Sequence, residues 1–187
     1  MINLFNAMVD EMFDYGKYIL LEKRKNPKND LLSAIANAKI NDEKLSQEFL
    51  DGSWLLIIFA GNDTTRNTMS GGIKLLHENQ DQKELLINNP EYLPNFINET
   101  VRCVSPVIHM RRTSLEETEI NGQRIGPYEK ISLWYGAANR DPEVFENPET
   151  FNILRENAEK HLAFGIGRHT CLGLSLIHIS EPTRQWQ

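Results

Sequence analysis

Cys171 stands in FGIGRHTCLG, residues 164–173, among Gly165, Gly167 and Gly173 and just after the basic pair Arg168 and His169. A buried structural cysteine needs no such company. A thiolate in a glycine-rich turn can accept backbone N–H groups, and neighbouring cations lower the cost of its negative charge. Thiolates ligate zinc, iron–sulfur clusters and haem, so the other ligands in the chain must discriminate among them. Zinc or a cluster takes about four protein ligands, and Cys103, His77, His109, His161 and His169 show no finger-like spacing around Cys171. Haem iron needs one protein ligand on its proximal side, for which a lone cysteine suffices. On spacing alone, haem ligation, a catalytic thiol and a buried cysteine all stay open.

Two further stretches carry chemistry. WLLIIFA, apolar on every side and suited to burial, runs directly into Gly61, Asn62, Asp63, Thr64 and Thr65, which are mediocre or poor helix formers. Buried polar groups there need partners, and local weakness inside a core element is expected mainly at functional or strained sites. The blander reading is two abutting helices with a polar joint, and for Thr65 a hydroxyl returned to its own backbone. Glu99 and Arg102 lie at i and i+3, on one helical face and within reach of a salt bridge.

The elements that must position these residues follow from periodicity. Ile2, Phe5, Met8, Met12 and Phe13 predict an amphipathic helix over 2–24, ended by NPKND at 26–30, and LLSAIANA at 31–38 a shorter one. A long helical pattern runs from Ser46 to about Asn79, followed by helices at 81–88 and from about Leu93 to Cys103. The character then changes. SPVIHMRRTS, EETEINGQRI and YEKISLWY alternate as strands, with Asn121-Gly122 as a tight turn. Residues 136–160 are rich in Asn, Pro and acids and read as an irregular segment with short helical pieces.

Bulk properties bound the functions. The 187 residues suffice for one globular domain. A net charge of −6 argues against a nucleic-acid or anionic-membrane surface. With only Cys103 and Cys171 the chain is no disulfide scaffold and fits a reducing compartment. Its N-terminus lacks the basic flank of a signal peptide, and no apolar run approaches a membrane span. The expected location is cytoplasmic.

FGIGRHTCLG resembles the haem-ligand loop of cytochrome P450 monooxygenases, with Phe164, Gly167, Cys171 and Gly173 at the matching positions. AGNDTTRN resembles that family's oxygen-activating helix motif through Ala60, Gly61, Asp63, Thr64 and Thr65. ETVR at 99–102 matches its Glu-x-x-Arg pair, and NRDPEVFENPETF at 139–151 is similar to the segment preceding the haem loop in soluble bacterial members. The four occur in family order, and the resemblance covers roughly residues 1–174. The resemblance implies a mainly α fold with a small β-sheet, the cytochrome P450 fold, here truncated at both ends. Residues 1–173 would form the C-terminal half of a P450 domain. Residues 174–187, LSLIHISEPTRQWQ, match nothing in the family and read as a non-native tail, so His178 is not offered as a ligand.

What the resemblance implies residue by residue is as follows. Cys171 is the axial thiolate of haem b (iron protoporphyrin IX), whose electron donation favours O–O cleavage. His169 and Arg112 are partners of the haem propionates, with Arg111 competing for the role of Arg112, and with His109 either a further partner or a structural histidine. Phe164 and Gly61 flank the cofactor, Gly61 by leaving room beside it. Thr64 lies against dioxygen, and Asp63 helps relay protons to it. Glu99 and Arg102 are a structural pair; Thr150 stands where many relatives carry the third member of that network, and Arg155 is its candidate substitute. Val104, Pro106, Val107 and Ile108, with Ile57 and Ile58, line an apolar pocket.

The resemblance also implies an activity: a monooxygenase inserting one atom of dioxygen into a hydrophobic small molecule, first a terminal carbon of an alkane or fatty chain, alternatively a terpene or steroid side chain. The sequence contains no flavin or iron–sulfur motif, so electrons would come from a ferredoxin and its NAD(P)H-dependent ferredoxin reductase, docking near Arg168. Competing readings are a peroxygenating or coupling P450, a non-catalytic haem-binding fragment, and a helical scaffold without cofactor. With much of the pocket and one face of the haem missing, the chain itself would be poorly competent for turnover.

Overall fold

The structure is a computed structural model and describes residues 2–174, with side chains from Asn6 onward. Of the predicted non-native tail only Leu174 is described; residues 175–187, His178 among them, lie outside the described residues. The chain divides into two compact units, Met1–Asp63 and Thr64–Gln187.

The first unit holds α1 (Ile2–Lys25), α2 (Leu31–Asn37), a hairpin of β1 (Lys39–Ile40) and β2 (Glu43–Lys44), and the beginning of α3 (Gln47–Glu78). Leu20, Ala36, Leu50 and Trp54 form its core, with Phe13, Ile19, Leu32, Ile35 and Leu45 packed around them. Trp54 Nε1 donates to the Met12 carbonyl at 3.1 Å. α2 begins where Asp30 caps it, its carboxylate accepting from the Ser33 N–H at 2.8 Å. The ammonium of Lys23 beside that carboxylate holds it down to about 2.

The second unit holds the remainder of α3, α4 (Gln80–Asn88), α5 (Leu93–Val104), the antiparallel pair β3 (His109–Thr113) and β6 (Lys130–Trp134), the hairpin β4 (Thr118–Ile120) and β5 (Gln123–Ile125), and α6 (Tyr135–Ala138). α5 packs closely on α3 through glycines: a Cβ on Gly71 would lie 2.5 Å from Val104 Cγ2, and one on Gly72 3.0 Å from Thr100 Cγ2. The turn of α5 formed by Glu99, Thr100, Val101 and Arg102 is buried all round. Over it lie Phe145, Phe151, Ile153 and Ala158 from the irregular segment, all buried. Asn121 and Gly122 take φ of 49° and 77°, the left-handed pair a two-residue hairpin turn requires.

The mainly α fold with a small β component is as expected, the strands forming three separate two-stranded pairs among the described residues. The long helix expected from Ser46 to about Asn79 is α3, which continues through AGNDTTRN, so the alternative of two abutting helices with a polar joint falls. One expectation is corrected. Burial of WLLIIFA is confined to one stripe: Trp54 is 5% exposed, whereas Leu56 and Phe59 are 66% and 71% exposed. The core of the first unit meets α3 along Leu50 and Trp54, one helical turn apart, and residues between project elsewhere. No described helix is long and apolar enough to cross a membrane.

Candidate functional site

The cysteine loop closes on itself through its glycines. Gly165 and Gly167 have φ of 70° and 76°, a region that costs other residues strain. The chain thereby doubles back, and the Cys171 N–H donates to the Phe164 carbonyl at 2.8 Å. The Gly165 N–H donates to the Leu162 carbonyl at 2.9 Å, and the Thr170 hydroxyl to that of Gly167 at 2.8 Å. Phe164 is anchored against the His161 ring, with centroids 5.4 Å apart. Cys171 itself is exposed, and Gly173 adds no side chain where a Cβ would sit 3.6 Å from its Sγ. Arg168 and His169 occupy an exposed 3₁₀ turn, Gly167–His169, immediately before it.

Behind the loop lies a charge network without solvent. Glu99 and Arg102 are fully buried; Arg102 Nε and Nη2 donate to the two carboxylate oxygens at 2.7 and 2.8 Å. Arg155, also buried, donates from Nε to both oxygens at 3.1 Å. The guanidinium groups continue into backbone carbonyls: Arg102 to Asn139, Pro148 and Thr150, and Arg155 to Glu146, Asn147 and Thr150. Thr150 thus contributes its carbonyl, and Arg155 stands third in the network. Burial by itself would lower the Arg102 pKa, but the hydrogen bonds to Glu99 together with the negative charges around it raise it above its usual value.

The remaining predicted residues are placed as follows. On β3, His109 stacks on Trp134 across the strand pair, with centroids 4.8 Å apart and planes 24° off parallel. Arg112 is half-buried and donates to the Arg111 carbonyl at 2.9 Å, whereas Arg111 is exposed. Neither arginine, nor Arg168 or His169, has a carboxylate partner among the described residues. Asp63 is exposed and Thr64 half-buried, at successive positions of α3; Asp63 closes the first unit and Thr64 opens the second. A Cβ on Gly61 would meet nothing within 4 Å. The structure brings together Glu99 with Arg102, and Phe164 with Cys171; no hydrogen bond among the described residues joins His109, Arg112 or His169 to Cys171.

One residue passed over in the sequence is Asn139, fully buried, which bonds to Ser105 and Leu162 through its side chain and to Arg102 through its carbonyl. Its place in NRDPEVF was visible, but its partners lie 23 and 34 positions away.

The donor set can be tested against the implied haem. Cys103 is no competitor for a metal: burial, helped by the Glu99 charge, pushes its thiol up to about 11. Among the described residues no group of three His, Cys, Asp or Glu is arranged for a metal ion. One exposed thiol in a braced loop suits a group needing a single protein ligand, and the Arg112 guanidinium and His169 imidazole, neither with a carboxylate partner among the described residues, offer N–H donors for its carboxylates. The residues present fit haem b.

Comparison with known proteins agrees. The family model described as Cytochrome P450 matches residues 75–178. The chain is 38% identical to linalool 8-monooxygenase of Pseudomonas putida, over 90% of this chain and 41% of that protein. It is 39% identical to steroid C26-monooxygenase of Mycobacterium tuberculosis, over 89% and 44%. Among solved structures, cytochrome P450-153 from Novosphingobium aromaticivorans superposes with a TM-score of 0.85 at 39% identity, covering 93% of this chain and 43% of that one. The chain therefore spans about two fifths of the length of the curated relatives it matches. Since the family match runs through both the buried carboxylate network and the cysteine loop and takes in more than half of the residues, this chain belongs to the cytochrome P450 family.

Proposed function

We propose that the chain is part of a haem-thiolate monooxygenase that inserts one atom of dioxygen into a hydrophobic substrate of the terpene-alcohol or steroid side-chain class. The observation that carries the reading is the exposed Cys171 thiol on a loop closed by its own backbone hydrogen bonds. Cys171 would hold the iron of haem b, His169 and Arg112 its propionates with His109 beside them, and Phe164 and Gly61 its faces. When bound, the haem supplies the iron at which dioxygen is activated. The chain's own part would be proton delivery: Asp63 would help relay protons, taking one up from solvent and releasing it toward the Thr64 hydroxyl, which would lie against dioxygen. Val104, Pro106, Val107 and Ile108 offer apolar area with few polar anchors.

For the substrate, the named activities of the linalool and steroid relatives support a terpene or steroid side chain over the terminal alkane or fatty chain weighed first in the sequence. A ferredoxin, reduced by an NAD(P)H-dependent ferredoxin reductase, is the proposed donor, with exposed Arg168 steering an acidic partner.

The test is the ferrous carbon-monoxide difference spectrum of the chain reconstituted with haem b, beside Cys171→Ser. A thiolate-type Soret band that disappears in the variant is expected. Persistence of the band in Cys171→Ser, or its absence from both this chain and a longer protein containing it, would overturn the ligand assignment. In that longer protein, linalool and a steroid with its side chain should produce a spin-state shift at lower concentration than octane; the reverse order would restore the alkane reading.

A further inference from the structure

We infer that Asn139 is the positioning residue of the cysteine loop: through its side-chain amide, the buried Glu99, Arg102 and Arg155 network sets where Cys171 is held. The inference deepens the reading of Cys171 as the haem ligand and rests on it for its functional meaning, although its geometry does not depend on the haem.

Asn139 is fully buried at the end of α6 and reaches three segments at once. Its carbonyl accepts from Arg102 Nη1 at 2.8 Å. Its Nδ2 donates to Ser105 Oγ at 2.8 Å, and the Ser105 hydroxyl in turn donates to the Arg102 carbonyl at 2.9 Å. Its Oδ1 accepts from the Leu162 N–H at 2.6 Å. The orientation of the amide is settled by chemistry, because a backbone N–H can only donate. One solvent-free position therefore requires an acceptor toward the loop and a donor toward α5. Asparagine supplies both at this length; aspartate lacks the donor, leucine both, and glutamine adds a methylene to a closed site.

The acceptor side is where the loop is rooted. From Leu162 onward the hydrogen bonds are those of the loop itself: Leu162 carbonyl to Gly165 N–H at 2.9 Å, and Phe164 carbonyl to Cys171 N–H at 2.8 Å. On the donor side, Ser105 caps α5 in the left-handed region, φ 43° and ψ 65°, a strained conformation for a serine that its neighbours must hold. A Gly165 Cβ would lie 3.3 Å from the Tyr135 hydroxyl, and the Asn139 N–H donates to the Tyr135 carbonyl at 2.9 Å. The same short α6 segment thus touches the loop twice. Arg102 and Arg155 fix the irregular segment but form no hydrogen bond with residues 161–173; among the described residues Asn139 is the side chain that bonds across that gap.

The test uses amide hydrogen exchange of the full 187-residue chain, resolved at Leu162, Gly165 and Cys171, for Asn139→Leu, Ser105→Ala and the control Ile153→Ala. Ile153 is fully buried in the same unit, so its truncation lowers stability without touching the proposed link. Exchange is compared at urea concentrations that bring the proteins to equal residual stability. Asn139→Leu should accelerate Gly165 and Cys171 by about tenfold or more, as expected when a buried N–H loses its acceptor. Ser105→Ala, which leaves the Leu162 bond intact, should stay close to the unaltered chain, as should Ile153→Ala. If Asn139→Leu does not fold, Asn139→Asp replaces it; that variant keeps the acceptor and should retain Cys171 protection. Equal acceleration in Asn139→Leu and Ile153→Ala, no acceleration in Asn139→Leu, or lost protection in a folded Asn139→Asp would overturn the inference. With haem b added, Asn139→Leu should lower the fraction of thiolate-type Soret band and Ile153→Ala should not. A missing band in the unaltered chain with the exchange pattern intact would defeat the haem reading alone, whereas a normal band without the exchange pattern would defeat the role of Asn139 alone.

Discussion

Replacing Glu99 with glutamine keeps the size of the side chain and withdraws the single negative charge on which two buried guanidinium groups converge. Glu99 Oε1 accepts from Arg102 Nη2 at 2.8 Å, Arg155 Nε at 3.1 Å and the Asn152 N–H at 3.0 Å. Oε2 accepts from Arg102 Nε at 2.7 Å and Arg155 Nε at 3.1 Å. A glutamine presents one oxygen, so whichever way it turns, its NH₂ faces a donor. The less damaging choice keeps oxygen toward Asn152 and sets NH₂ against Arg102 Nε. Two cations then stay buried with no anion beside them, held by one amide oxygen and by backbone carbonyls, and neither can swing into water without abandoning these. Removing one partner of a buried ion pair costs about 3–5 kcal/mol, against about 5–15 kcal/mol for a whole domain. Because the chain has two units, a single urea transition is not assured, and hydrogen exchange through α5 and residues 139–155 against rising urea is the suitable assay. Glu99→Gln should lower the opening free energy of the second unit by about 3 kcal/mol or more while α1 and α2 keep theirs. In a double-mutant cycle, Glu99→Gln and Arg155→Met should couple by about 1–3 kcal/mol. A loss under about 1 kcal/mol, the size typical of a solvent-exposed pair, would refute the reasoning.

Two glycines of α3 should respond oppositely to alanine. At Gly71 the new methyl would lie 2.5 Å from Val104 Cγ2, and overpacking of about 1–3 kcal/mol should exceed the helix-propensity gain; at Gly61, with nothing within 4 Å, the propensity gain of about 1 kcal/mol should appear as a higher urea midpoint. His161 supplies a pH dependence: burial, with the Arg102 charge adding, pushes its pKa from 6.5 to about 4. The unfolded chain therefore binds the proton first, so stability is fully present above about pH 6.5 and is lost as pH falls toward about 4, by roughly 3 kcal/mol in all. His161→Gln should flatten that slope in urea titrations run from pH 7 to 4.5, and an unchanged slope would show that other groups carry it.

Local features were readable from the chain because their causes are local. The NPKND turn ends α1, Asn121-Gly122 makes the hairpin, the glycines around Cys171 shape its loop, and Glu99 and Arg102 meet because helical spacing makes them neighbours. The hairpin of β1 and β2 was missed, although Asn41 and Asp42, with φ of 52° and 64°, are the residue types such a turn favours. What the chain could not show depends on partners. Whether Leu56 or Phe59 is covered is decided by what packs against α3, not by their hydrophobicity, and the joint work of Asn139 and Arg155 needs residues far away in sequence to arrive at one place.

The distance between Glu99 and Arg155, 56 positions, also imposes an order on assembly. A nascent chain can wind α5 as soon as Val104 has been made, but its carboxylate and guanidinium cannot be sealed from water until the Glu146–Thr150 carbonyls and Arg155 have followed. Closing so long a loop around charged groups is slow compared with forming the helices it joins. The cysteine loop begins within ten residues of Arg155, so the loop proposed to receive the cofactor takes shape in the same late event that seals the charges, and a chain stopped short of Arg155 would leave both undone.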